Sequence, residues 1–322
     1  MSSPPPPAPP VSLVGGRLGA EQAGGGEAPL PSEPVERSSE KGAPLGVIAG
    51  GGALPRLVAE AEARAGGAAF IVGLRGFVDP WIADWPHRTC GVGQPGGIFA
   101  ALRAAGCRRV CFAGGLSRPS FRTLFTTLRF DVTGLRIAPR IARLLRQGDD
   151  GLLRGLAEIF EAEGFTLVAA QELLGELLAP PGPLGSVSPS AADLQDIRRA
   201  ASVVDALGAV DVGQGAIVAQ GRCLGVETVF GTDAMLGDVA ARPRRHGAAI
   251  PSGALFKAPK PGQDQRLDLP AIGPRTIEAV RAARLNGVAV AAGAVFVLEP
   301  DATVAAADAA GLFVYGWTPS DG

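Results

Sequence analysis

The chain has 322 residues, of which 47% are apolar and 19% charged, and its 30 Lys and Arg nearly balance its 31 Asp and Glu, for a formal net charge of -1. This length exceeds what one hydrophobic core usually organises and predicts about two domains, while the composition favours packed α/β layers. The near-neutral charge gives no support for nucleic-acid binding.

The cysteines and histidines favour a reduced protein without a zinc centre. The four cysteines lack CxxC spacing, and the two histidines, His87 and His246, lie far apart in the sequence. Buried thiols in a reduced cytoplasmic protein are therefore the simplest interpretation. Any metal is expected to be a hard cation held by carboxylates.

Residues 1–44 are rich in Pro, Gly, Ser and Glu and show no apolar periodicity, which predicts a disordered tail. The tail does not combine a basic start with an apolar stretch, so it is not expected to be a secretory signal. No run of about 18 apolar residues occurs in the chain. These features predict a cytoplasmic protein, and they leave contact with a membrane surface open.

The next segment, residues 45–180, is predicted to be a Rossmann-like domain with a parallel sheet. It opens with LGVIAGGGALPRLVAEAEARAG, which is typical of a buried strand, a glycine turn and a helix. Gly50, Gly51 and Gly52 are expected to leave N–H groups free for a phosphate at the helix N-terminus, and a tight turn without a ligand is the alternative. NAD binding is disfavoured because GxGxxG is incomplete and Arg75 replaces the expected acidic residue.

A second glycine-opened helix and a strand ending in glycines follow at residues 93–115. Loops at the carboxyl ends of parallel strands meet at the ligand crevice, so Gly115 and Arg118 are candidates for substrate binding. Capping of a surface turn is the alternative for Arg118. Asp149 or Asp150 is then predicted to cap an amphipathic helix that reaches Glu163.

A linker at residues 181–188, marked by prolines and glycines, is predicted to separate this domain from a C-terminal α/β domain at 189–317. Residues 216–219 and 223–226 are predicted to form two strands of a hairpin. The element GTD, which contains Thr232 and Asp233, follows the hairpin at a predicted helix start. Taken alone, an Asp at this place favours helix capping.

The segment KAPKPGQDQRLDLPAIGPRT, residues 257–276, concentrates charges between prolines and glycines. Prolines limit the entropy cost of holding charges in one geometry. The lysines and arginine are candidates for binding phosphate oxygens, and Asp233 with Glu227 or Asp268 is a candidate for binding a divalent cation or ordering a water. A solvated surface loop is the alternative. The candidate residues of this segment are Lys257, Lys260, Gln263, Asp264, Asp268, Arg275 and Thr276.

These motifs resemble those of the LpxI family, the UDP-2,3-diacylglucosamine diphosphatases of lipid A synthesis in Gram-negative bacteria. The resemblance extends from Leu45 to Trp317 and includes LGVIAGGGALP, DVGQGAIV, VETVFGTDAM and KAPKPGQDQRLDLPAIGPRT. The last of these is long and unusual, which makes it far more specific than a glycine turn. The family pattern usually has an acidic residue just before GTD, whereas this chain has Phe230.

The resemblance implies hydrolysis of UDP-2,3-diacylglucosamine to UMP and 2,3-diacylglucosamine 1-phosphate, called lipid X, with the substrate between two α/β domains. It implies water attack on the α phosphorus with Mg²⁺ or Mn²⁺ as the cofactor. Asp233 matches the family's essential aspartate, and whether it binds the metal or acts as a general base is left open. Thr232 and Glu227 are the further catalytic candidates, and Gln214 in DVGQGAIV is a candidate for substrate binding.

The same resemblance suggests a homodimer, and the acyl chains of the substrate suggest peripheral contact with the inner membrane. Two other functions are kept as alternatives. One is a nucleotide-sugar binding protein without activity, for which Phe230 is the only hint. The other is a Rossmann-type oxidoreductase that would use the glycine turn of the first domain.

Overall fold

The computed structural model describes residues 42–115, 131–144, 149–241 and 253–321. Most of the predicted disordered tail, residues 1–41, lies outside these ranges, and so does the candidate Arg118. The described residues belong to one compact unit. Within it, we call residues 42–180 the N-terminal half and residues 181–321 the C-terminal half.

The N-terminal half contains a five-stranded parallel sheet with the order β3-β2-β1-β4-β5. This is the strand order of a doubly wound dinucleotide-binding sheet, so the predicted Rossmann-like fold is confirmed. The central strand is buried along its whole length, as expected for a parallel sheet with both faces covered. The strands are β1 (Leu45–Ala49), β2 (Ala69–Leu74), β3 (His87–Cys90), β4 (Arg109–Ala113) and β5 (Thr166–Leu167).

Helices connect these strands, and the predicted cap at Asp149 or Asp150 is wrong because the helix already begins at Asp149. Pro95 occupies the first position of its helix, where its missing N–H costs nothing. Asp149 and Asp150 lie inside the first turn of their helix, and Gly164 adopts a φ of 88° beyond its end. The helices are α1 (Leu54–Arg64), α2 (Pro95–Ala104), α3 (Val132–Leu144), α4 (Asp149–Ala162) and α5 (Ala170–Leu173), with 3₁₀ turns at Pro80–Asp84 and Gly175–Leu177.

The C-terminal half contains a six-stranded mixed sheet with the order β6-β13-β11-β9-β7-β8 and a parallel pair, β10 and β12. Its strands are β6 (Gly182–Pro183), β7 (Gly215–Ala219), β8 (Arg222–Val226), β9 (Ala254–Lys257), β10 (Ala271–Ile272), β11 (Gly287–Ala291), β12 (Phe296–Val297) and β13 (Phe313–Trp317). Its helices are α6 (Ala191–Gly208), α7 (Gly231–Ala241), α8 (Pro274–Ala282) and α9 (Pro300–Ala309), with a final 3₁₀ turn at Pro319–Asp321.

The predicted hairpin is confirmed as β7 and β8, joined by Gln220 and Gly221. Both residues have positive φ angles, 51° and 71°, as a two-residue hairpin turn of type I′ requires. The carboxylate of Asp196 in α6 accepts hydrogen bonds from the N–H groups of both turn residues, at 2.9 and 2.7 Å. This helix therefore holds the hairpin in place.

Part of the predicted linker is a strand, because β6 pairs antiparallel with β13 at the edge of the second sheet. Just before it, the Ala179 N–H donates to the Val295 carbonyl at 2.9 Å, and the Gly293 N–H donates to the Ala179 carbonyl at 2.8 Å. Backbone hydrogen bonds therefore fix the chain at the point where it passes from the N-terminal half to the C-terminal half.

The charged segment 257–276 packs onto the N-terminal half. Leu269 is buried in the cluster that contains Leu45 and Ile71, and Leu267 is buried in the cluster that contains Phe99. At the surface, Arg266 donates to Asp264 at 2.7 Å and to Glu161 of α4 at 2.9 Å. Among the described residues, no helix is long and apolar enough to cross a membrane.

The Arg266 interaction leads to a prediction about stability. Hydrogen bonding from Arg266 lowers the pKa of the Asp264 carboxyl, so this carboxylate stabilises the fold above its unfolded pKa of about 3.9 and loses that contribution as the pH falls through its folded pKa. We expect Arg266→Gln to lower the free energy of unfolding by about 1 kcal/mol at pH 7 and by less at pH 3.5. Urea denaturation at both pH values measures this.

Arg64→Gln is the matched control, because Arg64 is 3.8 Å from Glu176 and both side chains are more exposed. An Arg266→Gln effect no larger than that of the control would contradict the prediction.

The cysteines lead to a second prediction. Burial raises the pKa of Cys107 to about 11 and that of Cys111 to about 12, and it also raises the pKa of Cys90, whereas Cys223 is exposed. We expect one thiol of the native protein to react rapidly with Ellman's reagent at pH 8, and four to react after denaturation. Cys223→Ser should abolish the rapid reaction, and a persistent fast thiol in that variant would disprove the assignment.

Candidate functional site

A cleft of about 300 Å³ opens beside the start of α7. Gly231 begins this helix with a φ of 82°, a conformation that glycine adopts without strain, and this places Thr232 and Asp233 in the first turn. All the described residues that line the cleft belong to the C-terminal half. They are Phe230, Gly231, Thr232, Asp233, Lys257, Ala271 and Thr276.

A buried chain of hydrogen bonds forms the inner wall of the cleft. The Lys257 Nζ donates to the Thr232 Oγ1 at 2.8 Å and lies 3.4 Å from the Ala271 carbonyl oxygen. The Thr232 Oγ1 in turn donates to the Glu227 Oε2 at 3.0 Å. Lys257 and Glu227 are only 6% and 7% exposed, and buried charges of this kind require such partners. The chain joins the ends of β8 and β9 to the start of α7.

The GQG sequence at residues 213–215 makes room for Glu227. A Cβ atom at Gly215 would lie 2.6 Å from the Glu227 Oε2, and one at Gly213 would lie 2.0 Å from the Glu227 carbonyl oxygen. Side chains at both places would displace Glu227. Between the two glycines, the Gln214 carbonyl accepts from the Ala258 N–H at 3.1 Å, while its side-chain Oε1 is buried and has no hydrogen-bond partner among the described residues.

Asp233 and Arg275 form an exposed ion pair at the cleft, with 3.3 Å between the Asp233 Oδ2 and an Arg275 guanidinium nitrogen. Their side chains are 70% and 89% exposed, so the pair contributes little to stability. Asp233 suits the positive end of the α7 dipole, whereas Arg275 lies at the second position of α8, where a cation is unfavourable. Both groups are accessible to a ligand.

The other polar residues of the segment 257–276 form a separate network. Lys260, only 7% exposed, forms an ion pair with Asp211, and its N–H donates to the Gln263 Oε1 at 3.1 Å. The Gln263 Nε2 donates to the Asp268 Oδ2 at 3.3 Å. With Asp264 bound to Arg266, four of the predicted substrate-binding residues lie outside the lining of the cleft, in contacts that shape the segment.

The glycine turns of the N-terminal half differ from the expectation. The N–H groups of Gly50, Gly51 and Gly52 are not free, because they donate to the Ala113 carbonyl, the Gly115 carbonyl and the Asp79 carboxylate. The Gly115 N–H donates back to the Gly51 carbonyl at 3.0 Å. The two turns therefore pair with each other through their backbones, and the Asp79 carboxylate accepts from the N–H of Gly52, just before the start of α1.

The carboxylates of the cleft do not form a preformed metal cage. The described part of the chain contains no group of three or more His, Cys, Asp or Glu residues that could hold a metal ion. Asp233 is the one carboxylate among the described lining residues. A single accessible carboxylate fits Mg²⁺ or Mn²⁺ shared with phosphate oxygens of a substrate, since Mg²⁺ is commonly held by one or two carboxylates together with phosphates.

Sequence reasoning did not assign three residues of this region to the site. Phe230 was noted only as a departure from a family pattern, yet it lines the cleft and is 80% exposed. The Ala271 carbonyl lies beside Lys257, and Asp211 pairs with Lys260. All three lie in motifs that carried the family resemblance, which are VETVFGTDAM, KAPKPGQDQRLDLPAIGPRT and DVGQGAIV.

Two family models match successive parts of the chain. The model of the LpxI N-terminal domain matches residues 44–177, and the model of the LpxI C-terminal domain matches residues 180–315. The chain belongs to the LpxI family. The LpxI protein of Caulobacter vibrioides, named UDP-2,3-diacylglucosamine pyrophosphatase LpxI, is 46% identical over 279 residues, which are 86% of this chain and 98% of that protein. The family resemblance seen in the sequence is thus confirmed.

The LpxI cleft leads to a prediction about Thr232. We expect Thr232→Val to lower the free energy of unfolding by about 1–3 kcal/mol, because it removes the hydroxyl that joins buried Lys257 to buried Glu227. Urea denaturation measures the loss. Thr232→Ser is the control, because it keeps the hydroxyl and should retain most of the stability. Equal losses in the two variants would contradict the prediction, because Thr232→Val keeps the methyl group and Thr232→Ser keeps the hydroxyl.

Proposed function

We propose that this protein hydrolyses the pyrophosphate of UDP-2,3-diacylglucosamine to UMP and 2,3-diacylglucosamine 1-phosphate. The observation that carries the proposal is the meeting of Asp233, Lys257 and Arg275 at one cleft in a chain 46% identical to a relative named for a pyrophosphatase of this substrate. The membership of the LpxI family supports the same reaction.

The charges of the cleft suit a pyrophosphate. Lys257 lines it from β9, and Arg275 reaches Asp233 from α8. The first turns of α7 and α8 contribute Asp233 and Thr276 to the lining, so the positive ends of two helix dipoles face the same space. An anionic ligand would offset the unfavourable position of Arg275 at a helix N-terminus. Fixed positive groups of this kind stabilise the charge that develops during phosphoryl transfer.

In the proposed reaction, the oxygen of a water molecule forms a bond to the α phosphorus as the bond from that phosphorus to the bridging oxygen breaks. The bridging oxygen leaves with the phosphate of the lipid, and UMP retains the α phosphorus. Asp233 is accessible enough to orient the water or to accept its proton. Thr232 and Glu227 act through the buried chain, which fixes the backbone from which Asp233 projects.

A divalent cation is proposed to take part in the reaction. Asp233 would hold Mg²⁺ or Mn²⁺ together with phosphate oxygens of the substrate. Such an ion, when bound, neutralises charge on the pyrophosphate and lowers the pKa of a bound water. Arg275 then has a second role, because it can pair with Asp233 when no ion is held and with a phosphate when one is.

The place of the reaction and the oligomeric state of the enzyme are proposed as well. A cytoplasmic protein would meet the diacylated substrate at the inner membrane, where its acyl chains are anchored. A homodimer is proposed from the family resemblance, and light scattering of the purified chain tests it. The oxidoreductase alternative loses its motivation, because the glycine amides that suggested it make internal hydrogen bonds.

The test is hydrolysis of UDP-2,3-diacylglucosamine by the purified full chain with Mg²⁺ or Mn²⁺, comparing wild type with Asp233→Asn. We expect UMP and lipid X from the wild type and a loss of about 10²–10⁴-fold in the variant. EDTA should abolish turnover, and either ion should restore it. Asp238→Asn is the matched control, because Asp238 is exposed on the same helix outside the cleft, and it should retain activity.

Two results would contradict the proposal. A folded wild type that releases no UMP with either ion would favour a nucleotide-sugar binding protein without activity. An active Asp233→Asn variant would move the chemistry to another residue of the cleft.

A further inference from the structure

Helix α3 has one face packed on the protein and another turned to solvent. On the packed side, Ile137 contacts the cluster that contains Phe99, and Leu144 lies so close to α4 that a Cβ at Gly155 would be 2.1 Å from it. Ile137 and Leu144 therefore dock the helix against the N-terminal half.

Asp131 fixes the start of this helix. Its Oδ1 accepts from the Gly134 N–H at 2.6 Å, and its Oδ2 accepts from the Gly97 N–H in α2 at 2.9 Å. One carboxylate thus satisfies N–H groups in the first turns of two helices. Because of this anchor, the outer face of α3 has a defined orientation.

The outer face combines apolar and basic side chains. Val132 is 77% exposed and Leu135 is 63% exposed, while Arg136, Arg140 and Arg143 are also exposed. We call these five residues the basic-apolar face. Residues 132–144 contain no Asp or Glu, although the whole chain has a formal net charge of -1. Arg140 pairs with Glu158 at 2.5 Å, and Arg136 and Arg143 have no ion-pair partner among the described residues.

We propose that the basic-apolar face binds an anionic lipid surface. Such a helix suits the boundary between lipid head groups and acyl chains. There its arginines can contact the head groups while its apolar side chains contact the acyl chains. The phosphate backbone of a nucleic acid would satisfy the arginines but leave Val132 and Leu135 in water. Anionic phospholipids satisfy both sets, so charge and apolar character favour the same partner.

This inference adds a membrane contact to the proposed function, but it stands on α3 alone. The cleft is lined by residues of the C-terminal half, whereas α3 belongs to the N-terminal half. The two can therefore be tested separately by variants of different residues.

The experiment is co-sedimentation of the full chain with vesicles of phosphatidylcholine alone or with 30% phosphatidylglycerol added (about one lipid in three, a composition that carries a strongly negative surface). We expect binding to the anionic vesicles only. Arg136→Gln with Arg143→Gln should weaken it about 30-fold, the factor expected for two surface arginines. Val132→Ser with Leu135→Ser should weaken it several-fold at unchanged charge.

Matched controls use exposed residues elsewhere. Arg199→Gln with Arg222→Gln makes the same change of net charge, and Val210→Ser removes an apolar side chain that is 68% exposed. Both should bind anionic vesicles like the wild type. Thermal unfolding of each variant verifies that it is folded.

Several outcomes would overturn the inference. These are absence of wild-type binding, equal losses in the control variants, or binding that depends on the arginines but not on Val132 and Leu135, which would indicate adsorption of any polyanion. Turnover of substrate in detergent micelles reports on the proposed function separately. Turnover without vesicle binding overturns this inference alone, and vesicle binding without turnover overturns the proposed function alone.

Discussion

The candidate site depends on one constraint, the burial of Lys257 and Glu227 on either side of the Thr232 hydroxyl. Two buried charges remain tolerable only while their polar atoms are satisfied, so the ends of β8 and β9 and the start of α7 must meet. These contacts fix the start of α7, and Asp233, the residue after Thr232, therefore lines the cleft. Gly213 and Gly215 are small because Glu227 occupies the space where their side chains would be.

The segment 257–276 connects this site to the rest of the molecule. Its ends contribute Lys257 and Thr276 to the cleft, while its middle buries Leu267 and Leu269 in the cores of the N-terminal half. A site formed in one half is thus held by packing in the other. Gly51 and Gly115 pair through their backbones at the carboxyl ends of two strands of the Rossmann-like sheet, and the half that contains this sheet supports the segment through Leu267 and Leu269.

Stability and binding are divided among different residues of the site. The buried chain and the Lys260 network satisfy their own polar groups and shape the loop. Asp233 and Arg275, by contrast, are highly exposed, and Arg275 stands at a helix end that disfavours its charge. A residue is expected to interact with a ligand when its side chain contributes little to the stability of the fold and its charge is unfavourably placed. In the proline-rich segment 257–276, Lys257 and Arg275 therefore lie at the cleft, while the other charged residues shape the loop.

Local patterns in the sequence determined the parallel sheet, the hairpin at Gln220 and Gly221, and the helix that begins at GTD, because each depends on periodicity, turn chemistry or capping within a few residues. The unusual segment 257–276 also marked the family. Only the tertiary structure decided which charges of that segment lie near Asp233, because Lys260 pairs instead with Asp211, 49 residues away. In the same way, the N–H of Gly52 donates to Asp79, 27 residues away. Such partners meet through the packing of distant elements, and no local spacing specifies them.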